Sequence, residues 1–232
     1  MDGGLGKVFC SDFEAREIIC EIGRRMYNRN YVAANDGNIS IRCSERAIWA
    51  TPTGVSKGFM SPEILVKLDL EGNVLEGYTK PSSEIKMHLK VYNENPEVGA
   101  VVHAHPPVAT AFSVVRKELQ KPILPEAVVL LGCVPMAEYA TPGSDEVPDS
   151  IKPYCKSNNA VLLANHGALT WGRDGMEAYF RMESLEHYAT VLMHSKTLGG
   201  AVELTKEQIE SLIEIRTSMG IIAGGVPRTE KE

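Results

Sequence analysis

The chain has 232 residues, with 24 lysines and arginines against 30 aspartates and glutamates, a formal net charge of −6 and a pI near 5.6. That length suits one sizeable domain, and the acidic balance excludes a general attraction for nucleic acid or an anionic membrane, so any anionic ligand has to be held by local donors. Five cysteines without metal-site spacing, no signal-peptide pattern and no apolar run near the ~20 residues of a bilayer span predict a reduced, cytoplasmic protein.

Ser11 with Glu14 forms a capping-box signature, and Ala15, Ile18, Ile19, Ile22 and Met26 recur at helical spacing, predicting an amphipathic helix to about Asn28. Strands follow at 39–42 and 47–50, entered by the turn signal Gly37-Asn38, which by itself reads as turn chemistry. Lys57 could reach a bound anion but reads first as an exposed loop lysine, and GVSKG and the earlier GGLGK both lack the spacing of a nucleotide-binding loop. Ser61-Pro62-Glu63 opens a short helix, and 66–70 with 74–78 flank Glu71-Gly72-Asn73 as a predicted hairpin.

A helix is expected from Ser83 to about Asn95, then a buried strand over 98–102, then a helix opened by Pro106-Pro107 and reaching about Glu118. The apolar runs 128–131 and 134–137 suggest strands, 145–156 a helix, and 160–164 a buried strand. A long helix over 174–196 and a last one over 206–222 complete the series. Strands alternating with helices give a mixed α/β chain whose hairpins exclude a purely parallel sheet. With no linker to divide it, one domain over 1–232 is expected, with 224–232 as a flexible tail.

His103 and His105 are two apart at the end of a strand, so both imidazoles can face one point. Two histidines make a poor site alone, since catalytic zinc takes three protein ligands and leaves a position open. His166, just past the strand at 160–164, is a third candidate, and Glu84 at a helix start is a fourth. Each histidine could equally be a satisfied strand-end residue. Glu183 and His187 share a helix face, but as a ligand pair they are the weaker choice.

Six short pieces occur in order: Gly37-Asn38-Ile39-Ser40, Thr51-Pro52-Thr53-Gly54, Pro81-Ser82-Ser83-Glu84, His103-Ala104-His105, Glu138 to Ser144, and Asn165-His166-Gly167. On these the chain resembles the class II aldolase/adducin family, with its L-fuculose-1-phosphate aldolase branch the nearest pattern. The resemblance implies a single domain with a mainly antiparallel central sheet flanked by helices. It implies one zinc per subunit, or another divalent metal, on His103, His105, His166 and Glu84. It implies a substrate phosphate held by Asn38, Thr53, Gly54, Ser82 and Ser83. Glu84 would be the base, and Tyr139 would pass a proton to the aldehyde oxygen from a neighbouring subunit of a homotetramer with sites between subunits.

The activity so implied is reversible cleavage of a phosphorylated ketose, such as L-fuculose 1-phosphate, into dihydroxyacetone phosphate and an aldehyde such as L-lactaldehyde. Alternatives within the family are a 5-deoxyribulose-1-phosphate aldolase, L-ribulose-5-phosphate 4-epimerase and methylthioribulose-1-phosphate dehydratase. The epimerase pattern has aspartate where this chain has Glu84, which favours the aldolase. A non-catalytic adducin-like binding module is disfavoured by the intact histidines. The tail tyrosine of the aldolase pattern has no counterpart near Ser218-Met219-Gly220.

Overall fold

The computed structural model describes residues 9–227. Its first helix, α1 (Asp12–Asn28), starts as the sequence predicts: Glu14 N donates to Ser11 Oγ and Ser11 N to Glu14 Oε2. The helices that follow are α2 (Ile85–Glu94), α3 (Pro107–Val114), α4 (Pro125–Leu130), α5 (Glu146–Ile151), α6 (Gly175–Thr197) and α7 (Lys206–Ser218). The strands are β1 (Asn38–Arg42), β2 (Ala47–Ala50), β3 (Val66–Asp69), β4 (Val74–Glu76), β5 (Ala100–Ala104), β6 (Met136–Ala137), β7 (Ala160–Leu163) and β8 (Gly167–Gly172). They form one sheet in the order β4-β3-β2-β1-β5-β8-β7-β6, antiparallel throughout except for the parallel pair β6 and β7.

Both sheet faces are covered, which is why β7 and the start of β5 read as apolar runs, while β1 alternates, with Asn38 and Ser40 on one face and Ile39 and Ile41 on the other. Ile39, Ile41, Ala100, Val102, Leu162 and Ala168 pack with α1, α3 and α6 in one cluster. Their neighbours Ile48, Val101, Val161, Leu169 and Trp171 pack with Met87, Val91 and Tyr92 of α2 and Ile151 of α5 in the other. The result is a single α/β domain with a mostly antiparallel central sheet between helical layers. By strand alternation, Asn38, Ser40, Val101 and His103 share the α2 face. That face carries the site.

Several local expectations are corrected. Residues 128–131 fall in and just after α4, because Pro125 supplies the first helical residue and the β-branched run then packs as a buried helix face. Of the strand expected at 134–137 only β6 forms. Residues 167–172, given no element by the sequence reading, form β8, whose hydrogen-bonded partner strands are β5 and β7. Helix α3 ends at Val114, with Arg116 turning the chain at φ +55°, and α7 ends at Ser218. Of the expected tail, Gly224 N donates to Ser157 O, and Gly224 O accepts from Cys133 N. Residues 228–232 lie outside those described.

Gly167 lets β8 lie against the end of β5: a Cβ there would stand 2.5 Å from Ala104 O and 2.6 Å from His105 Cδ2. Gly167→Ala is therefore expected to destabilise the fold by about 1–3 kcal/mol through overpacking. Denaturant unfolding checks this, and unaltered stability would mean that the two strands have slack at this point.

Candidate metal and phosphate site

Strand pairing builds the site. In the β1–β5 register Asn38 lies directly opposite His103, and both face the start of α2, where Glu84 stands at the N-cap position. Glu84 precedes the helix and makes no capping hydrogen bond with its own side chain, so the carboxylate is free to turn inward. Ser82 Oγ instead accepts from Glu84 N at 3.3 Å. His166 arrives from the β7–β8 connection, where Asn165 adopts φ +56°, a left-handed conformation that asparagine tolerates better than most residues. Arg116 Nη2 donates to Asn165 Oδ1 at 2.6 Å and pins that turn.

The three imidazoles converge, with ring centroids 4.8 to 5.0 Å apart and one ligand atom of each within 4.8 Å of the others. His103 Nδ1 donates to Ala168 O at 2.9 Å, which leaves Nε2 as a bare lone pair. His105 Nδ1 faces Asp36 Oδ2 at 3.4 Å, which favours the tautomer with a lone pair on Nε2. These two Nε2 atoms lie 3.1 Å apart. With the proton on His105 Nε2 they share a hydrogen bond, and with both rings protonated on Nδ1 the two lone pairs need a cation between them. A tetrahedral zinc holds its ligand nitrogens ~3.3 Å apart, close to what is found.

Glu84 completes the set. Its Oε1 lies 3.0 Å from His166 Nε2 and its Oε2 3.4 Å from His103 Nε2, while Asn38 Nδ2 donates to Oε2 at 3.3 Å. Oε1 is buried and no donor is aligned with it, as expected of an oxygen available to a cation. Burial alone would push the Glu84 carboxyl up, but His103 and His166 outweigh it and hold the group well below the usual carboxylate range. Burial, with His103 and His166 alongside, pushes the His105 imidazole down to about 3, so it is neutral and a competent ligand near pH 7. The donor set fits a divalent metal ion.

The five candidate phosphate donors occupy adjoining loops. Thr53 N donates to Lys80 O, Ser82 N donates to Thr51 O, and Asn38 Nδ2 donates to Ser82 Oγ at 3.0 Å. Thr53, Gly54 and Ser83 are exposed while Asn38 is buried. Tyr139 stands apart, 55 % exposed and without a hydrogen bond to the triad or to Glu84. Glu183 is engaged elsewhere, accepting from Tyr179 Oη and paired with Arg29, so it does not join His187 as a ligand pair.

Two features escaped the sequence reading, and a third, His88, was not among its candidate ligands. Asp36, next to the Gly37 turn, orients His105, as carboxylates commonly do for metal-binding histidines. Lys57 is 1 % exposed, not a surface loop lysine. His88, one turn after Glu84, is fully buried with Nδ1 2.8 Å from Ser40 Oγ, which in turn lies 2.9 Å from Tyr92 Oη. Its helical spacing from Glu84 was the available signal.

With the geometry in place, comparison with known proteins is decisive. The family described as Class II Aldolase and Adducin N-terminal domain matches residues 17–193. The chain belongs to this family. Within it, an L-fuculose phosphate aldolase of Methanococcus maripaludis is 40% identical over 169 residues, covering 73% of this chain and 91% of that protein. A 3-oxo-tetronate 4-phosphate decarboxylase of Haemophilus influenzae is 36% identical over 183 residues, covering 77% of this chain and 87% of the relative. The structure of a Klebsiella pneumoniae protein, YgbL, for which aldolase, epimerase and decarboxylase activities are all named, superposes with a TM-score of 0.83 at 30% identity, covering 88% of this chain and 99% of that one. Class II aldolase chemistry generally depends on a metal, and this member of the family has the histidine triad to hold one.

Burial pushes His88 down to about 3. The unfolded chain takes up a proton on this histidine below pH ~6.5 that the folded chain refuses, so stability falls as pH drops through that window. The expected contribution is ~1.4 kcal/mol per pH unit between pH 6 and 4. Urea unfolding of wild type and His88→Phe across this range measures it. A pH slope smaller by one proton in the variant is expected, and equal slopes would show that His88 titrates normally.

Proposed function

We propose that the chain is a zinc-dependent aldolase that reversibly cleaves a phosphorylated ketose, such as L-fuculose 1-phosphate, into dihydroxyacetone phosphate and an aldehyde such as L-lactaldehyde. The observation that supports it best is a carboxylate, Glu84, set between two imidazoles of a convergent triad and beside the candidate phosphate donors. His103, His105 and His166 would hold the ion, with Glu84 as a further ligand when substrate is absent. When bound, zinc supplies Lewis-acid polarisation of a substrate carbonyl.

The remaining work falls to the chain's own groups. Asn38, Thr53, Gly54, Ser82 and Ser83 fix the phosphate, which orients the ketose relative to Glu84. Cleavage leaves an electron pair on the carbon beside the carbonyl, and Glu84 delivers the proton that quenches it. In condensation the same carboxylate removes that proton. Tyr139 relays the hydroxyl proton to solvent as the aldehyde departs, and Glu84 takes one proton from solvent before each cleavage, so both groups end as they began; condensation runs the same exchange backward. The exposure of Tyr139 suits delivery of its hydroxyl to a neighbouring subunit's site in a homotetramer.

A second reading is favoured by the 36% identity to a 3-oxo-tetronate 4-phosphate decarboxylase. Decarboxylation beside a keto group creates the same electron-rich carbon, but carbon dioxide leaves without a hydroxyl proton to remove. The two readings therefore differ in their need for Tyr139. Assays with a panel of ketose phosphates and 3-oxo sugar-acid phosphates, with products identified, separate them.

Glu84→Gln should retain the metal yet lose roughly 100- to 10,000-fold in turnover, measured as aldehyde or carbon dioxide release. A rate near wild type would remove Glu84 from proton transfer. Tyr139→Phe should lose most aldol cleavage while sparing decarboxylation, and full aldol activity in this variant would place the proton relay elsewhere.

A further inference from the structure

Lys57 lies in a short 3-10 turn after β2 and is buried, yet among the described residues it forms no ion pair. Its Nζ donates to Asn35 O at 2.8 Å and to Val55 O at 2.7 Å. Asn35 belongs to the loop that enters β1 at Asn38, and Val55 directly follows Thr53-Gly54. One ammonium thus ties together the two loops that carry three of the five phosphate donors. An ammonium has three N–H donors, and the two carbonyls account for two of them.

Burying an ammonium against neutral carbonyls is expensive unless an anion comes near it. The packing around it offers no adjacent carboxylate. Asp36, on the Asn35 loop, faces His105, and Glu84, at the start of α2, faces the histidines. From α1, the Tyr27 ring lies against Gly58 and Gly23 lies against Lys57 O. Asp36 and Glu84 act on the amine only from beyond ion-pair distance. At Gly54 there is open space where a side chain would stand, so the backbone here is accessible to an incoming anion.

We propose that Lys57 is a positioning residue of the phosphate subsite: it fixes the Asn35 and Thr53-Gly54 loops and provides the buried positive charge that a docked phosphate dianion neutralises. The inference rests on the phosphate assignment above and adds to it a charged group, where the five donors are all neutral. It also makes affinity depend on the protonation of one amine. Burial lowers the Lys57 ammonium to about 8, against the smaller opposing pull of Asp36 and Glu84. Phosphate is already a dianion at that pH, so affinity should fall as pH rises above ~8 and the free amine loses its proton.

The test is binding of inorganic phosphate to the metal-loaded chain, measured by titration calorimetry between pH 7 and 9.5, in wild type, Lys57→Arg and Lys57→Met. Wild type should weaken above about pH 8, by up to about tenfold per pH unit. Lys57→Met should bind roughly tenfold or more weakly at pH 7 and lack that decline, while Lys57→Arg should retain binding that no longer falls with pH. A role of Lys57 unconnected with the phosphate loops would not produce the wild-type pH profile, so that curve decides the matter even if Lys57→Met fails to fold. A flat wild-type profile, or Lys57→Met binding equal to wild type, overturns the inference. Absence of phosphate binding in wild type overturns the phosphate subsite with it. Phosphate binding without lyase turnover would count against the proposed reaction alone.

Discussion

Two ring nitrogens aimed at each other 3.1 Å apart, those of His103 and His105, set the strongest constraint in this molecule. Their orientation is imposed from behind, by the Ala168 carbonyl on one ring and the Asp36 carboxylate facing the other. The fold therefore holds two imidazole nitrogens at a separation that a shared proton or a bound cation bridges. Glu84 extends the same logic. Its carboxylate is drawn inward and kept ionised by His103 and His166 against the cost of burial, leaving one oxygen without an aligned donor.

Local departures from easy backbone geometry cluster around this point. Gly37, at φ +74°, lets β1 start where a Cβ would meet Val32 at 2.7 Å and His103 O at 2.9 Å. Asn165 takes a left-handed conformation so that His166 can turn back toward β5, and Gly167 then allows β8 to close against Ala104. These are the residues of the Gly-Asn and Asn-His-Gly motifs. Close approach of strands explains the glycines, and tolerance of positive φ explains Asn165.

Much of this was legible in the chain itself. The two-residue spacing of His103 and His105 on a buried strand required only strand alternation, and the α1 capping box was readable from Ser11 and Glu14. The convergence of His166 was not readable from spacing, because it depends on β8 pairing with β5 across more than sixty residues. The family resemblance supplied that link. Strand β8 itself was passed over because GALTWG has a glycine at each end and little alternation, as suits a strand buried on both faces. The β-branched Val128 and Val129 suggested a strand where Pro125 and tertiary packing make a helix. Lys57 was misread because lysines are seldom buried, and only the meeting of two loops creates the pair of carbonyls that holds it.

The same site explains how family members can share a scaffold and differ in the bond they break. Phosphate anchoring, a cation and one carboxylate serve any reaction that leaves charge on the carbon beside a carbonyl. The central claim concerns the shared part, and cobalt(II) titration of metal-free protein followed by visible absorption tests it most directly. Saturation at one equivalent per chain, with the intense bands of a four- or five-coordinate nitrogen and oxygen site, is the predicted result. Weak octahedral bands that rise without saturating would contradict it.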